Sequence, residues 1–141
     1  MMISKRDHRH IETLRQFARP LVPVRAARIA AALVYKNRVV GVGYCQKKTH
    51  PLQSRYGKNP DAIYLHAEVD AIRNALNTVG PELISKCTMY VVRQKRAAGS
   101  LKWQDGIAKP CSGCQGAIAA FDIPRVVYTT NTGIDALWEK A

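Results

Sequence analysis

The residues whose types and spacing could do chemistry are His66 and Glu68, two positions apart, and Cys111 and Cys114, three apart behind Pro110. Cysteines at that spacing share one face of a helix, and Pro110 suits a first helical turn because its missing N–H would have no intrahelical partner there. The partial positive charge of a helix N-terminus favours thiolates, the form that binds metal. His66 and Glu68 stand about 200° apart around a helix and would diverge at its middle. At an N-terminus a metal off the helix end can be reached by the histidine, while the glutamate leans toward the remaining coordination position. Two sulfurs and an imidazole select zinc, and three protein ligands leave a fourth position for water, the mark of a catalytic site. Zinc with two thiolates and a neutral imidazole is formally neutral and acidifies its water weakly, so a nearby base should help. Glu68 can take that proton and pass protons on to a ring nitrogen and a departing ammonia, which fits hydrolysis of C–NH₂ in an aminopyrimidine or aminopurine.

Each half of this set has a plainer reading. A Cys-x-x-Cys alone can be a redox pair or half of a structural zinc site, and a His-x-Glu alone carries little information. Together they say more, because the chain has no second Cys-x-x-Cys and no His-x-x-x-His to complete a four-ligand structural site. Cys45 and Cys87 fall at predicted strand ends, where a small buried hydrophobe is the ordinary role.

The elements that must position these residues follow from hydrophobic period. Ile11, Leu14, Phe17 and Ala18 predict a helix over His8 to Ala18, stopped by Pro20 and Pro23. Arg28 to Tyr35 and Arg38 to Tyr44 read as a β-hairpin, with the turn at Lys36-Asn37 because Asn tolerates positive φ. Cys45 to Asp61 has no sustained apolar period and reads as a loop broken at Gly57 and Asn59-Pro60. Leu65, Val69, Ile72, Leu76 and Val79 predict a helix ended by Gly80-Pro81. Ala67, Ala71 and Ala75 form a small-residue ridge on it that would allow close approach to a sheet. Strands are expected over Cys87 to Val92 and Arg125 to Thr130, joined through a helix from about Cys111 to Phe121, and therefore parallel. The basic, glycine-containing segment from Arg93 to Lys109 reads as a loop or irregular hairpin, and Ile134 to Lys140 as a short helix. The expected fold is a three-layer α/β/α arrangement on a mixed sheet, as a single domain over residues 1–141.

The combination of His66-Ala67-Glu68 with Pro110-Cys111-x-x-Cys114 is the signature of zinc nucleobase deaminases. From about Arg28 to Tyr128 the chain resembles the cytidine and deoxycytidylate deaminase superfamily. Gly43-Tyr44, Lys48-Thr49-His50-Pro51 and His66-Ala67-Glu68-Val69-Asp70-Ala71-Ile72 look most like small phage-type deoxycytidylate deaminases. The resemblance implies one Zn²⁺ per chain, a mostly five-stranded sheet with one further strand that periodicity does not place, and a homo-oligomer. It also implies that backbone around Ala67 and the two cysteines helps hold a base. Where relatives often offer an Asn to the sugar, this chain has Cys45, so Gln46 or a residue from Lys47 to His50 is the substitute. Lys109 stands where Ser, Thr or Glu often precedes Pro-Cys, and the segment from Arg93 to Lys109 is longer than in many relatives.

Composition bounds the partners. The 141 residues carry 22 Lys and Arg against 10 Asp and Glu, a formal +12. Such a field attracts phosphates and polyanions, or simply keeps the chain soluble by self-repulsion. Lys47, Lys48, His50 and Arg55 form a phosphate clamp on one reading and a solvated loop on the other; Tyr64 and Trp103 stack on a base or pack on the core. No apolar run reaches signal-peptide or membrane-span length, so a soluble, cytoplasmic protein is expected. The leading function is hydrolytic deamination of a cytosine nucleotide, dCMP to dUMP, with Glu68 protonating N3 and ammonia leaving. The alternatives are deamination of a base within ssDNA or tRNA, for which the charge argues, and a non-catalytic zinc-stabilised binding module.

Overall fold

The computed structural model describes residues 3–24, 27–47, 50–56, 65–96 and 99–139. Helix α1 (Lys5–Ala18) starts three residues before its apolar period because Ser4 caps it: the Ser4 hydroxyl accepts from Asp7 N–H, and the Asp7 carboxylate accepts from Ser4 N–H. Strands β1 (Arg28–Tyr35) and β2 (Arg38–Tyr44) form the expected antiparallel hairpin. Lys36 and Asn37 both have positive φ, 46° and 66°, the mirror-image turn whose twist matches that of the strands. A bulge between Leu33 and Val34 leaves Val40 as the extra residue of β2.

β1 also pairs antiparallel with β3 (Thr88–Lys95), and β3 pairs parallel with β5 (Arg125–Thr130), the crossover running through α5 (Ser112–Ala120) as the sequence predicts. With a last strand, β6 (Gly133–Glu139), beside β5, the path of the sheet is β2-β1-β3-β5-β6. A two-residue strand β4 (Gln104–Asp105) pairs with the end of β3, so the mixed sheet has five strands on its path and a short sixth beside it.

Alternation along the strands builds two cores. Ala31, Leu33, Met89, Val91, Val126 and Tyr128 face the layer of α3 (Ala67–Leu76) and α5, where Ile72 and Ile118 are fully buried. Ala30, Ala32, Val34, Tyr90, Val92 and Val127 face Ile11, Leu14 and Ala18 of α1. The alanine ridge does what its spacing predicts: α3 lies so close on β2 that a Cβ at Gly41 would stand 2.6 Å from Ala71 O, and one at Gly43 would stand 2.6 Å from Ala67 O and overlap Ala71 N. Glycine is required at both positions, and this contact sets the depth at which α3 presents its first turn.

Three expectations need correction. Residues 134–139 are not helical: β6 (Gly133–Glu139) is a strand, antiparallel to β5, and is the strand that the periodicity did not place. Ile134, Leu137 and Trp138 sit at helical spacing, but the backbone groups along the edge of β5 take a strand partner, and Ile134 and Ala136 cover the α1-side core. Lys140 lies outside the described residues, as do Gly57 to Tyr64. The loop after Cys45 contains a short helix, α2 (Pro51–Tyr56), which buries Gln53. The helix expected to run from Leu65 past Leu76 starts at Ala67 and stops at Leu76, and Pro81 opens a separate turn, α4 (Pro81–Ile84), in the first-turn position that suits proline. Cys87 is buried, as a strand-end hydrophobe should be, and burial pushes its thiol up to about 11. Among the described residues no helix is long and apolar enough to cross a membrane.

Candidate metal centre and cavity

Two helix N-termini meet on the α3/α5 face of the sheet. His66 is the N-cap of α3 and Cys111 the N-cap of α5, both with extended backbone, and neither side chain caps its own helix. Those side chains are turned toward each other instead. His66 Nδ1 stands 3.3 Å from Cys114 Sγ and 3.7 Å from Cys111 Sγ, and the three donor atoms all lie within 4.8 Å of one another. Tetrahedral zinc with Zn–N near 2.0 Å and Zn–S near 2.3 Å would separate nitrogen from sulfur by about 3.6 Å. The donor set therefore fits zinc in both element type and spacing, and it leaves one coordination direction to something other than these three residues.

The backbone holds this geometry in place. His66 N–H donates to the Oε1 of buried Gln53, and His66 O accepts from Asp70 N–H. Leu65 is bridged to Gln46 through reciprocal backbone bonds of 3.1 and 2.9 Å. On the cysteine side, Cys111 O accepts from Gln115 N–H, and the Gln115 amide donates to Pro110 O. Asp70, in the first turn of α3 and 1% exposed, ties the hairpin to the helix: its carboxylate accepts from Tyr44 N–H, Gln46 Nε2 and Arg73.

The electrostatics suit a metal-binding cysteine pair with an adjacent acid. Hydrogen bonds from Cys114 and then His66 pull the Cys111 thiol down to about 3. Cys114 moves the other way, because it donates to Cys111, is fully buried and faces Glu68. Zinc takes both cysteines as thiolates, so its binding would displace the proton that Cys114 donates to Cys111. Glu68, in the same first turn as Ala67, is 6% exposed. Burial raises its carboxyl above the usual range against the opposing pull of its own N–H and of His66, and the Cys111 charge adds to the rise. The 200° that separates His66 from Glu68 on a helix does not keep them apart: both line one cavity of about 450 Å³.

Ala67 and Cys111 line the same cavity, whose other walls are Ala27, Ile29 and Cys45 from the sheet side and Ile107, Ala108 and Lys109 from the segment before α5. Gln46, His50 and Arg55 do not line it. Gln46 is engaged with Asp70, His50 Nδ1 accepts from Leu52 N–H, and the Arg55 guanidinium lies 5.7 Å from the Tyr56 ring centroid on α2. Lys48 and Tyr64 lie outside the described residues. Trp103 does not line the cavity: Arg19, Arg28 and Arg96 stand 4.7 to 6.0 Å from its ring centroid. One cavity residue that the sequence reading passed over is Arg93. Its signal was parity, since Met89, Val91 and Arg93 share a face of β3 and put a cation at the end of an apolar, inward-facing row.

Fold and donor set together define a class: an α/β/α protein with a histidine-and-two-cysteine metal site opening into a cavity that also holds a buried carboxyl group. The chain belongs to the cytidine and deoxycytidylate deaminase family; the family's zinc-binding region matches residues 4–130. It is accordingly a hydrolytic deaminase with zinc as its cofactor. The fold is similar to that of the dCMP deaminase from the cyanophage S-TIM5. In complex with dCMP and dUMP, that protein superposes with a TM-score of 0.59 at 17% identity, covering 91% of this chain and 83% of the other. In its apo form the TM-score is 0.60, again at 17% identity, covering 92% and 86%. Comparison with curated protein sequences finds no match.

Proposed function

We propose that this chain, as a single deaminase domain over residues 1–141, converts dCMP and water to dUMP and ammonia. The observation that carries the reading is the convergence of His66, Cys111 and Cys114 donors beside Glu68 on one wall of a cavity large enough for a nucleotide base and sugar. His66, Cys111 and Cys114 would hold the zinc, which would supply Lewis-acid activation of a water molecule. Glu68 would carry both protons of the attacking water in turn: the first to N3 of the ring as the C4–O bond forms, the second, from the new C4 hydroxyl, to the amine as the C4–N bond breaks and ammonia leaves. A buried carboxyl group raised above its usual range suits both directions of that transfer. Ala67, one residue from each of His66 and Glu68, supplies backbone against which the base is held. The cyanophage dCMP deaminase of similar fold, whose solved complex holds dCMP and dUMP, supports the choice of nucleotide.

A second reading, deamination within a polynucleotide, is favoured by the three guanidinium groups gathered around Trp103 on a chain of +12. One assay separates the two. Zinc-loaded protein is offered cytidine, deoxycytidine, dCMP, dCTP, single-stranded DNA and tRNA, and ammonia and products are measured. Turnover of dCMP above all others supports the proposal; turnover confined to DNA or tRNA replaces it with the second reading. Silence on every substrate with zinc bound would favour a zinc-stabilised binding module.

A further inference from the structure

Arg93 lines the cavity, and among the described residues its guanidinium has no hydrogen-bond or ion-pair partner. It continues the inward-facing row of Met89 and Val91 on β3, and its cross-strand neighbour Ile29 lines the same cavity. The backbone around it is fixed on both sides. Arg93 N–H donates to Thr129 Oγ1, Arg93 O accepts from Gly106 N–H, and the fully buried Thr129 hydroxyl donates to Gly106 O. Gly106 lies against the arginine stem: a Cβ there would stand 2.8 Å from Arg93 Cδ, so the glycine leaves the room in which that stem runs. The stem ends in a guanidinium with no hydrogen-bond or ion-pair partner among the described residues. By contrast Arg15, Arg73 and Arg125 are each held by a carboxylate. Lys109 adds a second positive charge on the cavity lining.

A half-buried guanidinium on a fixed stretch of backbone, with its donors unused among the described residues, is arranged to receive an anion from outside the chain, and its planar fork matches the oxygens of a phosphate. We infer that Arg93, assisted by Lys109, is the specificity-determining residue for a phosphate monoester on the substrate, with β4 and Gly106 as the support that positions it. The inference rests on the proposed nucleotide reading of the cavity. It assigns the phosphate to the segment from Arg93 to Lys109 and not to the loop bearing His50 and Arg55.

The test is calorimetric binding of dUMP, deoxyuridine and inorganic phosphate to zinc-loaded wild type, Arg93→Gln and Arg93→Lys, alongside dCMP turnover. Arg93→Gln keeps much of the stem against Gly106, and zinc content with thermal melting checks that each variant is folded. The expected result is that wild type prefers dUMP to deoxyuridine, and that Arg93→Gln weakens dUMP on the order of 10- to 100-fold, the loss of charge-assisted hydrogen bonds. Deoxyuridine affinity should stay unchanged and Arg93→Lys should fall between. Equal loss of dUMP and deoxyuridine affinity would show a merely structural role and overturn the inference, as would unchanged dUMP affinity in Arg93→Gln or a wild type indifferent to the phosphate. Arg93-dependent dUMP binding without dCMP turnover would uphold the phosphate site and reject dCMP as substrate. Turnover of dCMP with Arg93-independent binding would do the reverse.

Discussion

Asp7 on α1 and Arg125 at the start of β5 form a two-pronged ion pair, Nη1 to Oδ1 and Nη2 to Oδ2, each 2.8 Å. Tyr90 from β3 donates to the same Asp7 carboxylate at 2.7 Å. One carboxylate, 2% exposed, thus caps α1 and locks that helix to two strands.

Asp7 should make stability depend on acid. Burial alone would raise its carboxyl, but hydrogen bonds from Arg125, Ser4 N–H and Tyr90 outweigh that and hold it well below the usual carboxylate range. A depressed folded pKa gives stability that is fully present above the unfolded value, near 4, and is lost as pH falls through the folded one. Wild type should therefore lose stability in urea titrations below about pH 4, with part of that loss absent in Asp7→Asn. At pH 7 Asp7→Asn should cost about 3–5 kcal/mol, because it leaves Arg125 buried beside a neutral group. Equal acid slopes in the two proteins would contradict this.

Gly43 should be intolerant of a side chain. Its added Cβ would meet Ala67 O at 2.6 Å and overlap Ala71 N, so either α3 moves outward or β2 bends. Gly43→Ala should cost about 1–3 kcal/mol. Since Ala67 is the residue between His66 and Glu68, the same change should weaken zinc affinity measured by competition with a chromogenic chelator. A destabilised variant with unaltered zinc affinity would mean that the site does not depend on this contact.

How much of this was legible in the sequence depends on how local each signal is. His66, Cys111 and Cys114 could be read because each ligand lies at or within the first turn of a helix whose start is marked by residue type. The Gly41 and Gly43 contact was half legible: the alanine ridge shows in the spacing, but its partner strand does not. β6 was misread because three apolar residues at helical spacing satisfy a strand with a bulge equally well, and only the unfilled edge of β5 decides between them. α2 has no apolar period, since the side chain it buries is Gln53, held by a hydrogen bond to His66 that no local pattern encodes. Arg93 became visible once β3 was known to run to Lys95 and the parity of its inward face could be carried past Val91.

Zinc removal should loosen both helix starts. His66 and Cys111 occupy N-cap positions without making side-chain caps, so the metal is what would join α3 to α5 at that point. Chelation should lower Tm, and zinc at 100 times its Kd should restore about 2.7 kcal/mol relative to the metal-free protein. Cys114→Ser should show a lower Tm and no zinc-dependent rise. Proton release on zinc binding, followed with a pH indicator, should accompany the gain, because zinc takes Cys114 as a thiolate and Cys111, burial and Glu68 all push that thiol upward.

Glu68 separates a catalyst from a zinc-stabilised module. It lines the cavity beside His66 and Cys111, yet it lies outside the three-donor set. Replacing it with the isosteric amide should leave zinc at one equivalent per chain by atomic absorption and leave the melting curve within about 1 kcal/mol of wild type, because Gln avoids burying a charge. Turnover depends on a group that both accepts and returns protons, and an amide does neither at neutral pH. Glu68→Gln should therefore lower kcat by about 100- to 10,000-fold with little change in product affinity. If zinc is lost along with activity, Glu68 is holding the metal site together, and its role as proton carrier must be given up.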